Sequence, residues 1–399
     1  LAIVAFLAWR IVIVNLADYF ARQDTVPAAT SALSWYPHHP QALYIQGRAL
    51  MDDQPSKAEQ LLRKAAQENP ADGRVYMALA RLWEQRGEVE KAADLVTMAS
   101  ELAPMRSTVQ LQAASFWFRQ GQLERALQRW GTALELRPQI RASLYPQLLR
   151  LAEDPQAQPA FAALLNEPPS WWEQFFSYAV TNAANLNTLQ VLYQLRRQNE
   201  YPPSATERNQ YMARLQRDGL WMEAYFVWLN SLDAQQLTAL GNIYNGSFEL
   251  PLSNEGFGWR NSPVPGVVVE TVPPPGTKGN KALHVVFEGQ RVPFKHFYQY
   301  LLLQPGHYQL RGQVRPEGLQ TARGVQWMLR CLVGDKKILG TSERFLGSDE
   351  WRPFLIKFTV PAENCRVQEL RLELLGRFAQ EFLASGALWF DDLHIRRVD

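Results

Sequence analysis

The sequence predicts a multidomain α plus β chain, an all-helical solenoid followed by an antiparallel β-sandwich. Three observations carry this. Proline recurs at positions 37, 70, 104 and 138, spacings of 33, 34 and 34, and each of the last three closes a segment with the same small-residue pattern. From Asn242 onward, helical periodicity gives way to short alternating runs separated by turn residues. The chain also opens with an apolar run, LAIVAFLAWRIVIVNLADYF, interrupted by Arg10, Asn15 and Asp18.

The opening run reads as an N-terminal membrane-associated helix over 1–22. Seventeen helical residues rise about 25 Å, marginal for a bilayer core. An arginine at the centre of a span costs roughly 2.5–3.5 kcal/mol. The expectation is therefore that 1–9 is the end of a span whose start lies upstream of Leu1, with Arg10 at the headgroups and 11–22 continuing as helix. A buried first helix of the solenoid is the alternative. A signal peptide is a third, although no small-residue cleavage site with a preceding basic region is visible.

The repeats are specific in residue type. Before Pro104 stand Tyr76, Leu79, Ala80, Trp83, Gly87, Ala92, Val96 and Ala99; at the same offsets before Pro138 stand Gln110, Ala113, Ala114, Trp117, Gly121, Ala126, Trp130 and Ala133. Before Pro70 the match is looser, with Ala58, Leu62 and Ala65 but Asp53 in place of the glycine. Antiparallel helices approach closely only where alanine or glycine occupies the crossing point. A glycine lets the first helix end in a left-handed turn, and proline stops the second. On these residues the segment resembles the tetratricopeptide repeat family, whose stacks hold partners rather than perform chemistry.

The pattern degrades on both sides. Ala32 with Trp9, Val12 and Leu16 marks a worn first repeat, and Gly219, Ala224 and Trp228 reproduce the spacing once more. Between them 140–201 reads as helices broken at Pro146, Pro155, Pro159 and Pro168–Pro169, so 23–240 is expected as one irregular solenoid. In such stacks the first helix of each pair lines the concave face. The resemblance thus puts a partner groove at Arg74, Arg81, Gln85, Gln112 and Arg119, suited to an acidic or polar extended peptide.

The second domain is expected over 242–399, with strands at 267–272, 282–288, 297–303, 307–314, 325–333, 354–360, 369–375 and 387–396. Loops are expected at Pro273–Pro274–Pro275–Gly276 and Gln304–Pro305–Gly306. About eight strands of this length make a β-sandwich or jelly roll. The chain's two cysteines, Cys331 and Cys365, fall in this domain. A disulfide in an oxidising compartment and two buried thiols both remain open.

The ends of the domain carry a signature. The opening NGSFE (245–249) with Gly258–Trp259, the central LQPGHYQL (303–310) and the closing WFDDLHI (389–395) resemble jelly-roll carbohydrate-binding modules. That resemblance implies a candidate structural calcium held by Glu249, Asp391 and Asp392, since hard oxygen ligands suit calcium; a turn cap beside a solvated aspartate is the alternative. The aromatic set Trp259, Phe297, Tyr298, Tyr300, Trp327, Trp351 and Trp389 offers either sandwich core or a sugar platform. Gln326, Arg330 and Trp351 are the glycan candidates, while alternation in VQWMLRCL puts Trp327 on the buried face.

Composition excludes some partners. Lys plus Arg total 41 against 39 for Asp plus Glu, a net charge of +2 with no long like-charge run, so nucleic acid is not an expected partner. There is no phosphate loop, no nucleophile elbow and no histidine pair at metal spacing on one helix. His38–His39 lies in an inter-repeat loop, and neither Glu373 with Glu381 nor Asp391 with Asp392 has a separation fixed by sequence.

The expected function is a non-enzymatic, membrane-anchored, extracytoplasmic scaffold, its repeats holding a protein and its sandwich binding glycan or protein. The combination resembles accessory components of bacterial exopolysaccharide or surface-glycan export, which places the soluble part in the periplasm. The rival is a structural subunit of a larger membrane complex, for which WWEQFFSY (171–178) and WMEAYFVW (221–228) offer apolar surface. A glycan-processing enzyme is the third reading.

Overall fold

The computed structural model describes residues 2–198, 200–274, 280–334 and 336–398, with side chains described from residue 7 onward. They form two compact units, Leu1–Ser204 and Ala205–Asp399. The division falls inside the segment 23–240.

The N-terminal unit begins as four helical hairpins: α1 (Ala2–Ala21) with α2 (Val26–Trp35), α3 (Pro40–Ala49) with α4 (Pro55–Glu68), α5 (Gly73–Gln85) with α6 (Val89–Leu102), and α7 (Ser107–Arg119) with α8 (Leu123–Leu136). The repeated alanines explain the close packing. Ala58, Ala92 and Ala126 are fully buried, as are Ala65, Ala99 and Ala133. At Gly47 an added Cβ would lie 2.8 Å from the Leu62 side chain of α4, too close for any larger residue.

Gly87 and Gly121 follow α5 and α7 with φ of +80° and +71°. The next N–H groups, Glu88 and Gln122, donate back to the carbonyls of Trp83 (3.0 Å) and Trp117 (2.9 Å). A left-handed residue is what this six-to-one closure needs. In the second hairpin, where Asp53 replaces the glycine, Gln54 N–H donates to the Leu50 carbonyl at 2.8 Å instead. That turn closes with no left-handed residue.

The C-terminal half of α1 belongs to the stack. Ala17 and Ala21 share a buried core with Ala29, Ala32 and Leu43, and Asp18 accepts from His39 Nε2 at 2.9 Å. His39 also accepts the Ala42 N–H through Nδ1, capping α3, while His38 pairs with Glu68 at 2.6 Å. Further toward the N-terminus, Leu7, Trp9, Ile11 and Val12 are each more than half exposed. Among the described residues no helix is long and apolar enough to cross a membrane. The anchor expected at 1–22 therefore finds no support in the fold, because its second half is a solenoid helix; the side chains of 1–6 lie outside the described residues.

Four further helices complete this unit: α9 (Arg141–Ala152), α10 (Gln158–Leu165), α11 (Trp172–Asn182) and α12 (Leu186–Gln198). Pro146, expected as a break, sits inside α9. One backbone bond is lost near the helix start, and burial of Leu144, Tyr145, Leu148 and Leu149 offsets it. The stretch 171–178 is corrected as well. Trp171, Trp172, Phe175 and Phe176 are all buried, with Phe161 stacked on Phe175 at 6.5 Å, so these rings are core rather than an exposed patch.

The C-terminal unit starts with α13 (Ala205–Arg217), α14 (Trp221–Leu229) and α15 (Ala234–Thr238). Ten strands follow: β1 (Arg260–Asn261), β2 (Val267–Val272), β3 (Ala282–Arg291), β4 (Phe297–Leu301), β5 (Gly306–Thr321), β6 (Val325–Cys331), β7 (Ile338–Thr341), β8 (Arg352–Val360), β9 (Gln368–Leu374) and β10 (Leu383–Arg397). They make two five-stranded sheets of order β1-β4-β9-β6-β7 and β2-β3-β10-β5-β8. Every pairing between them is antiparallel. Of the expected loops, Pro275–Gly276 lies outside the described residues.

Alternation sends Phe297, Trp327, Leu329, Phe354, Leu372 and Phe390 into one shared core. Trp259 stacks on Phe297 at 4.8 Å, and Trp327 is fully buried as the alternation predicts. The opening turn is organised by Asn245, at φ +50°. Its side chain bonds both the N–H and the carbonyl of Leu250, and its own carbonyl accepts from Trp259 Nε1 at 3.1 Å. Leu393 N–H then donates to the Gly246 carbonyl at 2.9 Å, joining the start of the domain to its last strand. Cys331 and Cys365 form a disulfide across Cα atoms 5.1 Å apart.

Candidate functional site

The five residues expected to line a partner groove come together. Arg74 and Arg81 on α5 with Gln85, and Gln112 with Arg119 on α7, line one hollow of about 570 Å³, joined by Tyr44 and Arg48 of α3. Its floor is apolar: Tyr44, Met77 and Phe116 are buried, and Leu111 is half-buried. The reason is the repeat itself, which returns each first helix to the same face.

Arginines recur along the groove. Arg48, Arg74, Arg81 and Arg119 line it with Glu84, and each arginine has a carboxylate beside it, Asp24, Asp72, Asp52 and Glu84 in turn. Arg74 lies over the Tyr44 ring at 4.9 Å, and its Nη2 donates to Asp72 at 2.6 Å and to Gln41 at 2.5 Å. Burial alone would push the Asp72 carboxyl up, but the hydrogen bonds and charge of Arg74 outweigh it and hold the group below its usual range. Arg119 is clasped by Glu84 at 2.8 and 3.0 Å. The other two are loosely held. Arg81 approaches Asp52 at 3.4 Å and Arg48 approaches Asp24 at 3.6 Å.

On the sandwich, Gln326 and Arg330 share the face of the first sheet turned away from Trp327, but Gln326, expected as a glycan candidate, is buried while Arg330 is half-buried. There Arg330 Nη2 bonds Glu369 at 2.9 and 3.2 Å. Arg371 in turn reaches Glu369 at 3.2 Å and also bonds Glu373. Glu369 and Arg371 are invisible to motif reading, although three opposed strands bring them beside Arg330. Tyr298 and Tyr300 stand on the same face, since Tyr298 pairs with Arg371 and Tyr300 with Glu369. Burial, reinforced by Tyr298, pushes the Tyr300 phenol up. Trp351 is placed elsewhere, in the loop before β8 of the other sheet.

The acidic set behaves differently. Asp391 is pushed up to about 6, first by burial and then by the charges of Asp392 and Glu249, against the opposing hydrogen bond from the Asp392 N–H. Both neighbouring carboxylates thus act on Asp391. Among the described residues, however, no group of three or more His, Cys, Asp or Glu is arranged to hold a metal ion. Glu249 Oε1 instead accepts the Lys281 N–H at 3.1 Å.

Each carboxylate of the remaining acid pair is engaged by an arginine. Glu373 is bonded to Arg371, and Glu381 is held at about 2, chiefly by its hydrogen bonds from Arg323. A second hollow, of about 680 Å³, lies over β10, β5 and β8, lined by Arg311, Gln313, Leu355 and His394.

The family model described as tetratricopeptide repeat matches residues 49–115. No curated protein sequence matches the chain. Among solved structures, a CBM4 structure is 15% identical over 39% of this chain and 99% of that one, at a TM-score of 0.30. A putative sugar binding protein from Bacteroides thetaiotaomicron is 12% identical over 40% and 100%, at 0.29. MamA of AMB-1 is 25% identical over 28% and 61%, at 0.23. Each likeness covers less than half of this chain at a low TM-score, and no residue role is taken from any of them. Residues 49–115, with their alanine crossings and the left-handed closure at Gly87, match the tetratricopeptide repeat, and the C-terminal unit holds a two-sheet antiparallel sandwich.

Proposed function

We propose that this protein is a non-enzymatic adaptor that holds a protein partner in the repeat groove and a glycan or second protein on the sandwich. The carrying observation is the groove itself, where side chains from three successive repeats converge on one hollow of about 570 Å³ with an apolar floor and arginines along its rim. A photo-crosslinking residue at Gln112 tests it. A specific protein adduct in the native cell extract is expected, and its absence alongside adducts from outer-face positions would sink the groove.

The sandwich half of the reading is supported by the part-exposed Tyr298, Tyr300 and Arg330, which share one face of the first sheet with the buried Gln326 and Glu369. Rings that meet apolar C–H faces beside hydrogen-bonding groups suit saccharides. Retardation of the full chain in polysaccharide-containing native gels is the check. Failure across neutral and acidic bacterial glycans removes the sugar.

An extracytoplasmic setting, in surface-polysaccharide assembly or export, is part of the proposal. The Cys331–Cys365 disulfide supports an oxidising compartment. The exposed apolar turn of α1, Leu7 to Val12, supports attachment to lipid. A structural calcium at Glu249, Asp391 and Asp392 remains a proposal, motivated by the raised Asp391 and tested below.

The second reading, a structural subunit of a membrane complex, is favoured by exposed Met222 and Phe226 on α14 together with the α1 turn. Native mass of the detergent-extracted protein separates the two. A fixed stoichiometric assembly that persists with the groove altered supports the subunit.

A further inference from the structure

Along β5 the side chains turned away from the core are His307, Gln309, Arg311, Gln313 and Arg315, every one a histidine, a glutamine or an arginine. Neighbouring strands extend this chemistry sideways. Arg311 stands opposite His394 of β10 and Leu355 of β8, and Gln309 stands opposite Arg396 and Lys357. The hollow of about 680 Å³ opens in this face at a bulge, where the register of β10 against β5 shifts between Asp391 and His394 and Asp392 takes φ +53°. A bulge re-aims side chains. Here Asp392 and His394 come to line one hollow with Arg311, Gln313 and Leu355, at a volume within the range of small-ligand sites, about 300–1,000 Å³.

We infer that this hollow binds an acidic sugar unit, with the sugar carboxylate on Arg311. It adds to the reading above a site on the other sheet, which stands or falls apart from the Tyr298 face. Arg311 supplies the charge. It is exposed, its Nη2 donates to Gln309 at 3.1 Å, and it enters no ion pair among the described residues. On the first sheet, by contrast, Arg330 and Arg371 are both paired with Glu369. A guanidinium left with unused N–H groups matches a carboxylate through two parallel hydrogen bonds.

The neighbours match the rest of a sugar. His394 Nδ1 donates to the Asp392 carbonyl at 3.0 Å, which leaves Nε2 of the neutral ring to accept from a hydroxyl. The Asp392 carboxylate accepts in the same way, and the Gln313 amide both donates and accepts. Leu355, 44% exposed, offers an apolar surface to C–H groups. A phosphodiester strand would press its charges against Asp392, so the set selects hydroxyls beside one acid group. The next row lies about 7 Å along the strands. There Arg396 and Lys357, also exposed, extend the positive charge to a second unit of an acidic chain.

The test is isothermal titration calorimetry of the full chain with hexamers of galacturonate, of mannuronate and of hyaluronan, each beside its methyl ester. Free galacturonic acid and oligothymidylate complete the set. At least one acidic hexamer is expected to bind, to weaken with added salt and to bind at least tenfold more tightly than its ester. Arg311→Ala should weaken it by about tenfold, the loss of one charge-assisted contact, and Arg311→Lys by less. Tyr298→Ala should leave it unchanged, with circular dichroism showing that each variant folds.

No binding of any acidic hexamer, equal binding of the ester or of oligothymidylate, or indifference to Arg311→Ala overturns the site. Equal binding of free galacturonic acid leaves the hollow and removes its extension to Arg396 and Lys357. If binding is lost in Tyr298→Ala and kept in Arg311→Ala, the sugar belongs to the first sheet, so the earlier reading stands and the second site falls.

Discussion

Arg119 and Glu84 join two successive repeats by a two-point ion pair, Nε to Oε1 at 3.0 Å and Nη2 to Oε2 at 2.8 Å. The pair spans 35 residues of sequence and links α5 to α7 at the rim of the groove. Its partners are unequally exposed, Arg119 by 54% and Glu84 by 21%. An exposed pair contributes little on its own. A double-mutant cycle with Arg119→Ala and Glu84→Ala should return a coupling below about 1 kcal/mol in urea unfolding. A coupling several times larger would mean that the pair, rather than the alanine crossings, sets the stacking of the repeats.

Gly87 and Gly47 should respond to alanine for different reasons. At Gly87 an added Cβ meets nothing within 4 Å, so the penalty is purely that of φ +80°, about 1–2 kcal/mol. At Gly47 φ is ordinary and the penalty is the clash with Leu62, about 1–3 kcal/mol. Trimming Leu62 to alanine alongside Gly47→Ala should relieve part of the second loss. The same trimming should leave Gly87→Ala unchanged in denaturation midpoints.

The disulfide closes a loop between cysteines 34 apart in sequence. On the chain-entropy account, removing it costs about 4 kcal/mol. Cys331→Ser with Cys365→Ser should therefore lower the melting temperature of the C-terminal unit while the helical signal of the repeats persists. Equal melting with and without reductant would show that the bond contributes nothing to this fold.

Asp391 gives the sandwich a signed pH dependence. Its folded value of about 6 exceeds the usual aspartate range, so the native state holds this proton more tightly than the unfolded chain. The contribution is present below the unfolded value near about 4 and is lost as pH rises through about 6. Asp391→Asn should raise the melting temperature near neutral pH and flatten the slope across that window. If the three carboxylates hold calcium, added calcium will raise melting of the native chain near neutral pH and leave Asp391→Asn unmoved. No calcium shift removes the ion.

The exposed turn of α1 should partition to lipid. Sedimentation with phosphatidylcholine vesicles is expected to carry down the full chain and to lose it when Leu7, Ile11 and Val12 are changed to serine. Equal recovery of both in the supernatant would leave that surface to a protein.

How far the sequence reached depends on the range of the interaction. The repeat register was legible because alanine crossings, terminal glycines and stop prolines act within one hairpin, and the structure places Ala92, Gly87 and Pro104 as that logic requires. The strand alternation likewise reported the burial of Trp327. Repeat phase brings Arg74, Arg81, Gln85, Gln112 and Arg119 to one hollow. The ladder Arg330–Glu369–Arg371 was not legible, because it joins positions 39 apart through a strand register that no local pattern encodes.

By itself, the sequence determined helical hairpins of fixed length, their concave face and the edges of an antiparallel sandwich, all of which are written in short-range periodicity. Only the tertiary structure decided that the aromatics of 171–178 are core, that Cys331 meets Cys365, that Arg330 is engaged by Glu369, and that burial raises Asp391. Periodicity says which way a side chain faces along its own element. What it faces is settled by packing between elements distant in the chain, where desolvation and charge pairing act.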